Sequence, residues 1–474
     1  MADLEEKGPS PVKISGKEYP PLADGAYDVC ILGTGLKECV LGGLLQQKGM
    51  KVLQVDRYGY YGADCASLNL TNLLKHGGRD AGKEAQEKYP GRNRDYNVDL
   101  IPKFLMACGD LVKILLHTKV TRYLEFKSIG GSYVYKDGGK INKVPATLME
   151  AAKTSLVGFF QKRKLKSFLS YLEKYDEKNP ATHKGYDLTT MPMSELFYKY
   201  GLDANTQDFI GHAMALMPDE SYKSMPAIGT VRAIQLYAYS LSQYGKSPYI
   251  YPVYGLGGLP ESFSRLCAIH GGTFMLNQDC DEVLFGDDGK VAGVRCGDMA
   301  ASTKLVIGDP SYFLNASSDS APKMKKVGQV IRSICFLNHP IPKLTQCTSA
   351  QIIIPQNQVG RQSDIYVTCV SYDHMTVPKG MYVCIVSTTV ETSNPSAEVA
   401  PGINMLGPLM DRFDHVSDVY EPLDDGVHSQ CFVSHSMDAS SHFGSTAADI
   451  LDMYKRITGE ELDMSINADT TDCD

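Results

Sequence analysis

An apolar run, Val29–Leu32, leads into Gly33 and Gly35, a helical stretch that ends near Gly49, and a second apolar run, Lys51–Val55, closed by Asp56. Strand, glycine turn, helix, strand and terminal acid are the parts of a dinucleotide-binding βαβ unit: the glycines let the backbone approach a pyrophosphate and the acid meets a ribose hydroxyl. The stretch from Tyr27 to Gly62 restricts the fold of this chain more than any other. At the third glycine position of that fingerprint, however, stands Glu38. A carboxylate there crowds helix against strand and puts negative charge where helix N–H groups would hold a pyrophosphate. The fold signal survives and the cofactor signal weakens, so Asp56 reads as a strand-end acid.

With 474 residues the chain is long enough for two or three domains, and its net charge of -8 argues against a nucleic-acid surface. Its thirteen cysteines are widely scattered without any CxxC pair, which indicates free thiols in a reducing compartment. Residues 1–25 carry Pro9, Pro11, Pro20 and Pro21 among polar residues and read as a flexible arm without a signal peptide; residues 461–474 read as a flexible tail. Asp110 and Lys113 interrupt the most apolar candidate for a membrane span, Phe104–Leu116.

Further along, Arg92 and Arg94 flank Asn93 in a polar segment, and Pro102 is expected to open a helix over Phe104–Leu116. Ser132–Tyr135 and Lys140–Val144 flank Asp137-Gly138-Gly139 as a hairpin. From Thr147 the apolar spacing becomes helical. Thr147 and Glu150 form a capping box; Leu148, Ala152, Leu156 and Phe159 make one stripe, and Leu165, Phe168, Leu169 and Leu172 a second. Asn205 is expected to cap a third helix, to Met217, carrying Phe209, Ile210, Ala213 and Met214. These stripes define a helical insert over residues 143–217, rich enough in Phe and Met either to pack as ordinary core or to hold an apolar ligand. After Pro226 the α/β character returns, with a helix Glu261–His270, a strand Gly271–Leu276, a hairpin Asp281–Phe285 with Val291–Cys296, and a strand Lys304–Ile307. The fold class is therefore α/β, a FAD/NAD(P)-binding (Rossmann-like) multi-sheet domain over residues 26–142 and 218–460, with the smaller helical domain inserted.

Catalytic motifs are missing: there is no GxSxG, HExxH, DFG or Walker A sequence. His428, Cys431, His435 and His442 suggest a metal site, but on a strand Cys431 and His435 lie ~13 Å apart, too far for one ion.

Several long segments resemble one family closely. Asn97-Val-Asp-Leu-Ile-Pro-Lys-Phe-Leu-Met-Ala107, Tyr244-Gly-Lys-Ser-Pro-Tyr249, Gln351-Ile-Ile-Ile-Pro-Gln-Asn-Gln-Val359, Ser387-Thr-Thr-Val-Glu-Thr392 and Tyr420-Glu-Pro-Leu-Asp-Asp-Gly426 are similar to the Rab GDP-dissociation inhibitors. That resemblance implies a flavoprotein-like domain without flavin or any other cofactor, and no catalysis. It implies binding of prenylated Rab GTPases in their GDP form, slowed GDP release, and a cytoplasmic monomer that cycles transiently to membranes. On this chain it puts Rab-binding residues at Tyr61, Arg92, Arg94, Arg265, Thr273 and Met275, and a Rab-tail grip at Phe104–Leu116 and Tyr244–Ser247. The family has a Glu where this chain has Gly258, in Gly255-Leu-Gly-Gly-Leu-Pro260. The insert resembles the prenyl-binding domain, with Leu156, Phe168, Leu169, Ala213 and Met214 as candidate lining for a geranylgeranyl chain. Such a chain of about twenty carbons, at ~0.8 kcal/mol per buried carbon, needs an apolar host to leave a bilayer. The alternatives are a Rab escort protein, whose long insertions this compact chain lacks, and a FAD-dependent oxidoreductase of the amine oxidase and desaturase class.

Overall fold

A computed structural model describes residues 10–136, 138–145, 158–315, 321–344 and 346–464. At its centre Thr273–Met275, Val52–Val55, Val29–Leu32, Leu305–Gly308 and Cys431–Val433 form a five-stranded sheet in that spatial order, every neighbouring pair parallel. The three inner strands are buried along their whole length, as a parallel sheet covered on both faces requires. Their side chains alternate between two cores. Val29 and Ile31 face the helices, whereas Cys30 and Leu32 face a four-stranded sheet.

The helix Leu36–Gln47 joins the first two strands, and nearly all of it is buried, Lys37 and Glu38 included. It packs against the helix Gly258–Ile269, and Gly43 sets their approach: a Cβ there would stand 3.2 Å from Leu266. The smaller sheet runs Glu282–Phe285, Val291–Cys296, Met299–Ser302, Pro21–Ala26. Its last strand corrects the expected N-terminal arm. Val12–Ile14 and Lys17–Tyr19 form a hairpin, and Pro21–Ala26 adds to the sheet because Leu22 and Ile14 supply buried anchors. Pro21 is tolerated because that strand lies at the edge.

A seven-stranded sheet forms the second layer, ordered Lys140–Lys143, Ser132–Lys136, Ala350–Ile354, Ile365–Ser371, Tyr382–Thr389, Met324–Leu337 and Asp411–Pro422. Only the pairing of Ser132–Lys136 with Ala350–Ile354 is parallel. The hairpin at 132–143 forms as its sequence predicts.

The helical unit comprises Phe159–Lys174, Met193–Lys199, Ala204–Asp208 continuing into a π-helical turn Phe209–Met214, and Ala227–Tyr244. Its core runs past the expected boundary at 217, because Ala227, Val231, Ile234 and Tyr237 pack with Phe168, Phe197 and Ile210. Thr147, Leu148, Glu150, Ala152 and Leu156 lie outside the described residues. Phe159 does not join a buried stripe; it opens the next helix, 83% exposed.

Two further expectations are corrected. Phe104–Leu116 is not one helix. Leu105–Met106 pairs with Tyr249–Ile250, Phe104 is buried against the rings of Tyr249 and Tyr251, and a helix starts only after Gly109, at Asp110–His117. Strand pairing and the extended Gly109 override the helical spacing. The helix expected from Asn205 is capped instead by Asp203, whose carboxylate accepts from the Thr206 N–H at 2.9 Å.

Candidate functional site: a filled dinucleotide cradle, a polar platform and an aromatic interior

The cradle begins at Gly33, which takes φ +99° at the end of its strand. One turn on, the Glu38 side chain folds back over the glycine turn. A Cβ on Gly35 would meet its Oε2 at 2.5 Å, and Ser434 Oγ donates to its Oε1 at 2.8 Å. Burial, with the Asp309 carboxylate nearby, pushes the Glu38 carboxyl up to about 7. Asp56 is committed as well: its Oδ2 accepts from the N–H and Oγ1 of Thr34, each at 2.6 Å, and its Oδ1 from the Tyr58 N–H at 2.8 Å. Lys37 Nζ contacts Asp449 at 2.5 Å and the His435 carbonyl at 2.6 Å. Burial would raise the Asp449 carboxyl, but His435 and Lys37 outweigh it and hold the group below the usual range.

The chamber beside this turn measures about 200 Å³ and includes Lys37, Glu38, Asp64, Asp309 and Arg332 in its lining. Drug-sized ligands occupy roughly 300–1,000 Å³. A flavin dinucleotide does not fit these residues. The glycine turn is covered by a carboxylate, and the ribose acid is already committed to the N–H groups of Thr34 and Tyr58.

The second site lies along the helix Gly258–Ile269 and the strand after it. Glu261 and Arg265 are exposed one turn apart, and the Arg265 guanidinium lies 4.5 Å from the centre of the Tyr123 ring. The Tyr61 ring meets Phe274 edge-on, 5.8 Å between centres, which brings Tyr61 against the edge strand carrying Thr273 and Met275. Both strand residues are half-buried; Tyr27 donates its hydroxyl to Thr273 Oγ1 at 3.3 Å. A cleft of about 270 Å³ next to Tyr61 is lined also by Asn97, Tyr254, Gly258 and Glu261. Arg92 and Arg94, both exposed, flank Asn93 at the short turn Asn93–Asp95 that leads to Asn97, itself part of the cleft lining; Arg92 Nη2 lies 3.3 Å from Asp95. Of the six residues, Tyr61 lines this cleft. A Cβ on Gly258 would stand 3.1 Å from Leu124 Cδ2, so the larger side chain of the resembling family would displace Leu124.

Two residues that support these surfaces escaped sequence analysis. Asp99 accepts from the Leu256 N–H at 2.9 Å and from the hydroxyls of Ser67 and Tyr251, fixing the loop that leads into the platform helix. Burial raises its carboxyl to about 7. The only signal for it was an acid within the apolar run Val98–Ile101. His212, in the π-helical turn, contacts Asp364 at 2.8 Å and Glu220 at 3.0 Å, tying the helical unit to the large sheet. Burial would lower its pKa, yet the two carboxylates outweigh it and raise it to about 10. A π turn replacing α-helix is the local sign that this position carries a constraint.

In the helical unit Phe168 is fully buried, its ring 5.7 Å from that of Phe197 and 5.4 Å from that of Tyr200. Ala213 is buried, and Leu169 and Met214 are half-buried against the same core. The structure thus brings together four of the five residues proposed to line a lipid site, and Leu156 lies outside the described residues. Among the described residues, no helix is long and apolar enough to cross a membrane.

Sheet order, cradle and two-layer architecture define a FAD/NAD(P)-binding-like α/β protein; a Methanosarcina mazei oxidoreductase structure, 14% identical, superposes with a TM-score of 0.57 over 90% of this chain and all of its own. Sequence narrows the class. The GDP dissociation inhibitor family matches residues 23–469. A probable secretory pathway GDP dissociation inhibitor of Schizosaccharomyces pombe is 53% identical over 93% of this chain and 97% of its own length. The crystal structure of a Plasmodium falciparum Rab GDI is 45% identical, with a TM-score of 0.86 over 92% of this chain and 99% of that one. The chain belongs to the GDP dissociation inhibitor family.

Proposed function

We propose that this chain binds Rab GTPases in their GDP-bound, prenylated form, slows GDP release, lifts them from membranes and returns them through the cytosol, acting as a monomer without catalysis. The observation that carries this reading is Glu38 folded across the glycine turn, on a chain whose relatives are named as GDP dissociation inhibitors. With the cradle filled, the fold acts as a rigid scaffold for the exposed platform. Tyr61, Arg92, Arg94, Arg265, Thr273 and Met275 would grip the switch loops in their GDP-bound arrangement. Preferential binding to that arrangement is sufficient to slow nucleotide release, and no reacting group is required of the inhibitor. The geranylgeranyl chain would enter the helical core around Phe168, Leu169, Ala213 and Met214.

A pull-down of prenylated Rab loaded with GDP or with a non-hydrolysable GTP analogue tests the proposal. Capture should favour the GDP form at least tenfold; equal capture of both forms overturns it.

A further inference from the structure

The helix Phe159–Lys174 buries Leu165, Phe168, Tyr171 and Leu172 and turns a different face outward. At 100° per residue, Phe159, Arg163, Lys166, Ser170, Glu173 and Lys174 all project from that outer face, three cations and one acid. Phe159 and Phe160 are each 83% exposed, and their rings pack edge-on, 5.7 Å between centres. Further along lies an open groove of about 540 Å³ whose lining includes Arg163, Lys166, Lys174 and Lys184 but no carboxylate. This concentration of cations stands out on a chain of net charge -8. Of the nearby acids, Glu173 is exposed beside Lys174, and Glu177 is held by Arg232 at 2.5 Å.

We propose that this face docks on an anionic phospholipid surface, with Phe159 and Phe160 entering the headgroup boundary and the groove cations engaging lipid phosphates and carboxylates. The inference rests on the proposed function, which brings the chain to membranes, and adds the surface and the lipid class that receive it. Charge complementarity selects the occupant. A cationic groove with no lining acid attracts an anionic leaflet, and two exposed aromatic rings at its end match the apolar boundary beneath. From Phe159 to Lys174 the helix extends about 22 Å, which allows several headgroups to be contacted at once.

Flotation of the full chain with phosphatidylcholine vesicles, neutral or containing about one-third phosphatidylserine, tests this directly. Binding is expected on the anionic vesicles only, and it should weaken as salt rises. Lys166→Gln combined with Lys174→Gln should lower partitioning about 25-fold, at about fivefold per cation, and Phe159→Ser combined with Phe160→Ser should lower it on the same vesicles. Equal binding to neutral vesicles, salt-insensitive binding, unchanged partitioning of the charge variant, or no vesicle binding at all overturns the proposal. Binding of unprenylated GDP-bound Rab in solution is measured alongside. If it persists while vesicle binding is absent, only the docking face is refuted; if it too is absent in the unmodified chain, the proposed function fails.

Discussion

Around Gly35 the interior is filled by polar groups, and around Phe168 by aromatic rings. In the cradle Glu38, Asp56 and Lys37 each hold hydrogen bonds to named partners, so a ligand entering there would have to break charged bonds and leave buried groups unpaired. In the helical unit Phe168, Phe197 and Tyr200 meet only through ring contacts, which a lipid chain can replace with contacts of the same kind. The cradle has the chemistry of a scaffold, and the helical core has the chemistry that an apolar ligand would need. The difference lies in what each filler loses on displacement.

The largest effect expected from breaking this contrast is in the aromatic interior. Phe168→Ala should cost about 3–5 kcal/mol, read from denaturant unfolding. A loss below about 1 kcal/mol would mean that the rings do not form a packed core.

Next in size is the link between the helical unit and the sheet. Asp364→Ala leaves His212 without its closest carboxylate and should cost about 3 kcal/mol near pH 6. His212 has a folded pKa raised from 6.5 to about 10, so its stabilisation is complete below pH 6.5 and is lost as pH rises through about 10. The gap between wild type and variant should therefore narrow on the alkaline side; a gap that stays constant to pH 10 would show that His212 carries no proton in the fold.

The cradle gives the opposite sign. Glu38 is an acid whose folded pKa is raised from 4.5 to about 7, so it costs nothing below pH 4.5, and stability falls as pH rises from 4.5 to 7. Glu38→Gln should stabilise the protein by about 3 kcal/mol at pH 8 and by nothing at pH 4.5. Equal stability of the two proteins at pH 8 would remove the buried-carboxylate account. Smallest is Arg265→Ala, which should weaken binding of GDP-bound Rab by about 2 kcal/mol while shifting stability by less than about 0.5 kcal/mol, as titration calorimetry and melting would report.

What could be read from the sequence was local. Val29–Leu32, Gly33, Gly35 and Lys51–Val55 fixed the βαβ unit because its signals lie within thirty residues or so, and Glu38 announced the filled cradle by its position alone. Two of the misreadings share one cause. Leu105–Met106 is held extended by Tyr249–Ile250, far along the chain, and Pro21–Ala26 is ordered by Met299–Ser302. The same distance hid the supports: Asp99 meets Tyr251, and His212 meets Asp364, each across 152 residues. Tyr61, Arg92, Arg94, Arg265, Thr273 and Met275 came from family resemblance, since exposed side chains leave no periodic trace.

The contrast between scaffold and host is tested most directly by Ala213→Trp, which fills the helical core from a buried position, at an overpacking cost of roughly 1–3 kcal/mol. Release of prenylated GDP-bound Rab from liposomes and affinity for unprenylated GDP-bound Rab are measured on the same preparation. The account predicts that the variant keeps its affinity for the unprenylated protein and fails to release the prenylated one; undiminished release, or parallel loss of both activities, would contradict it.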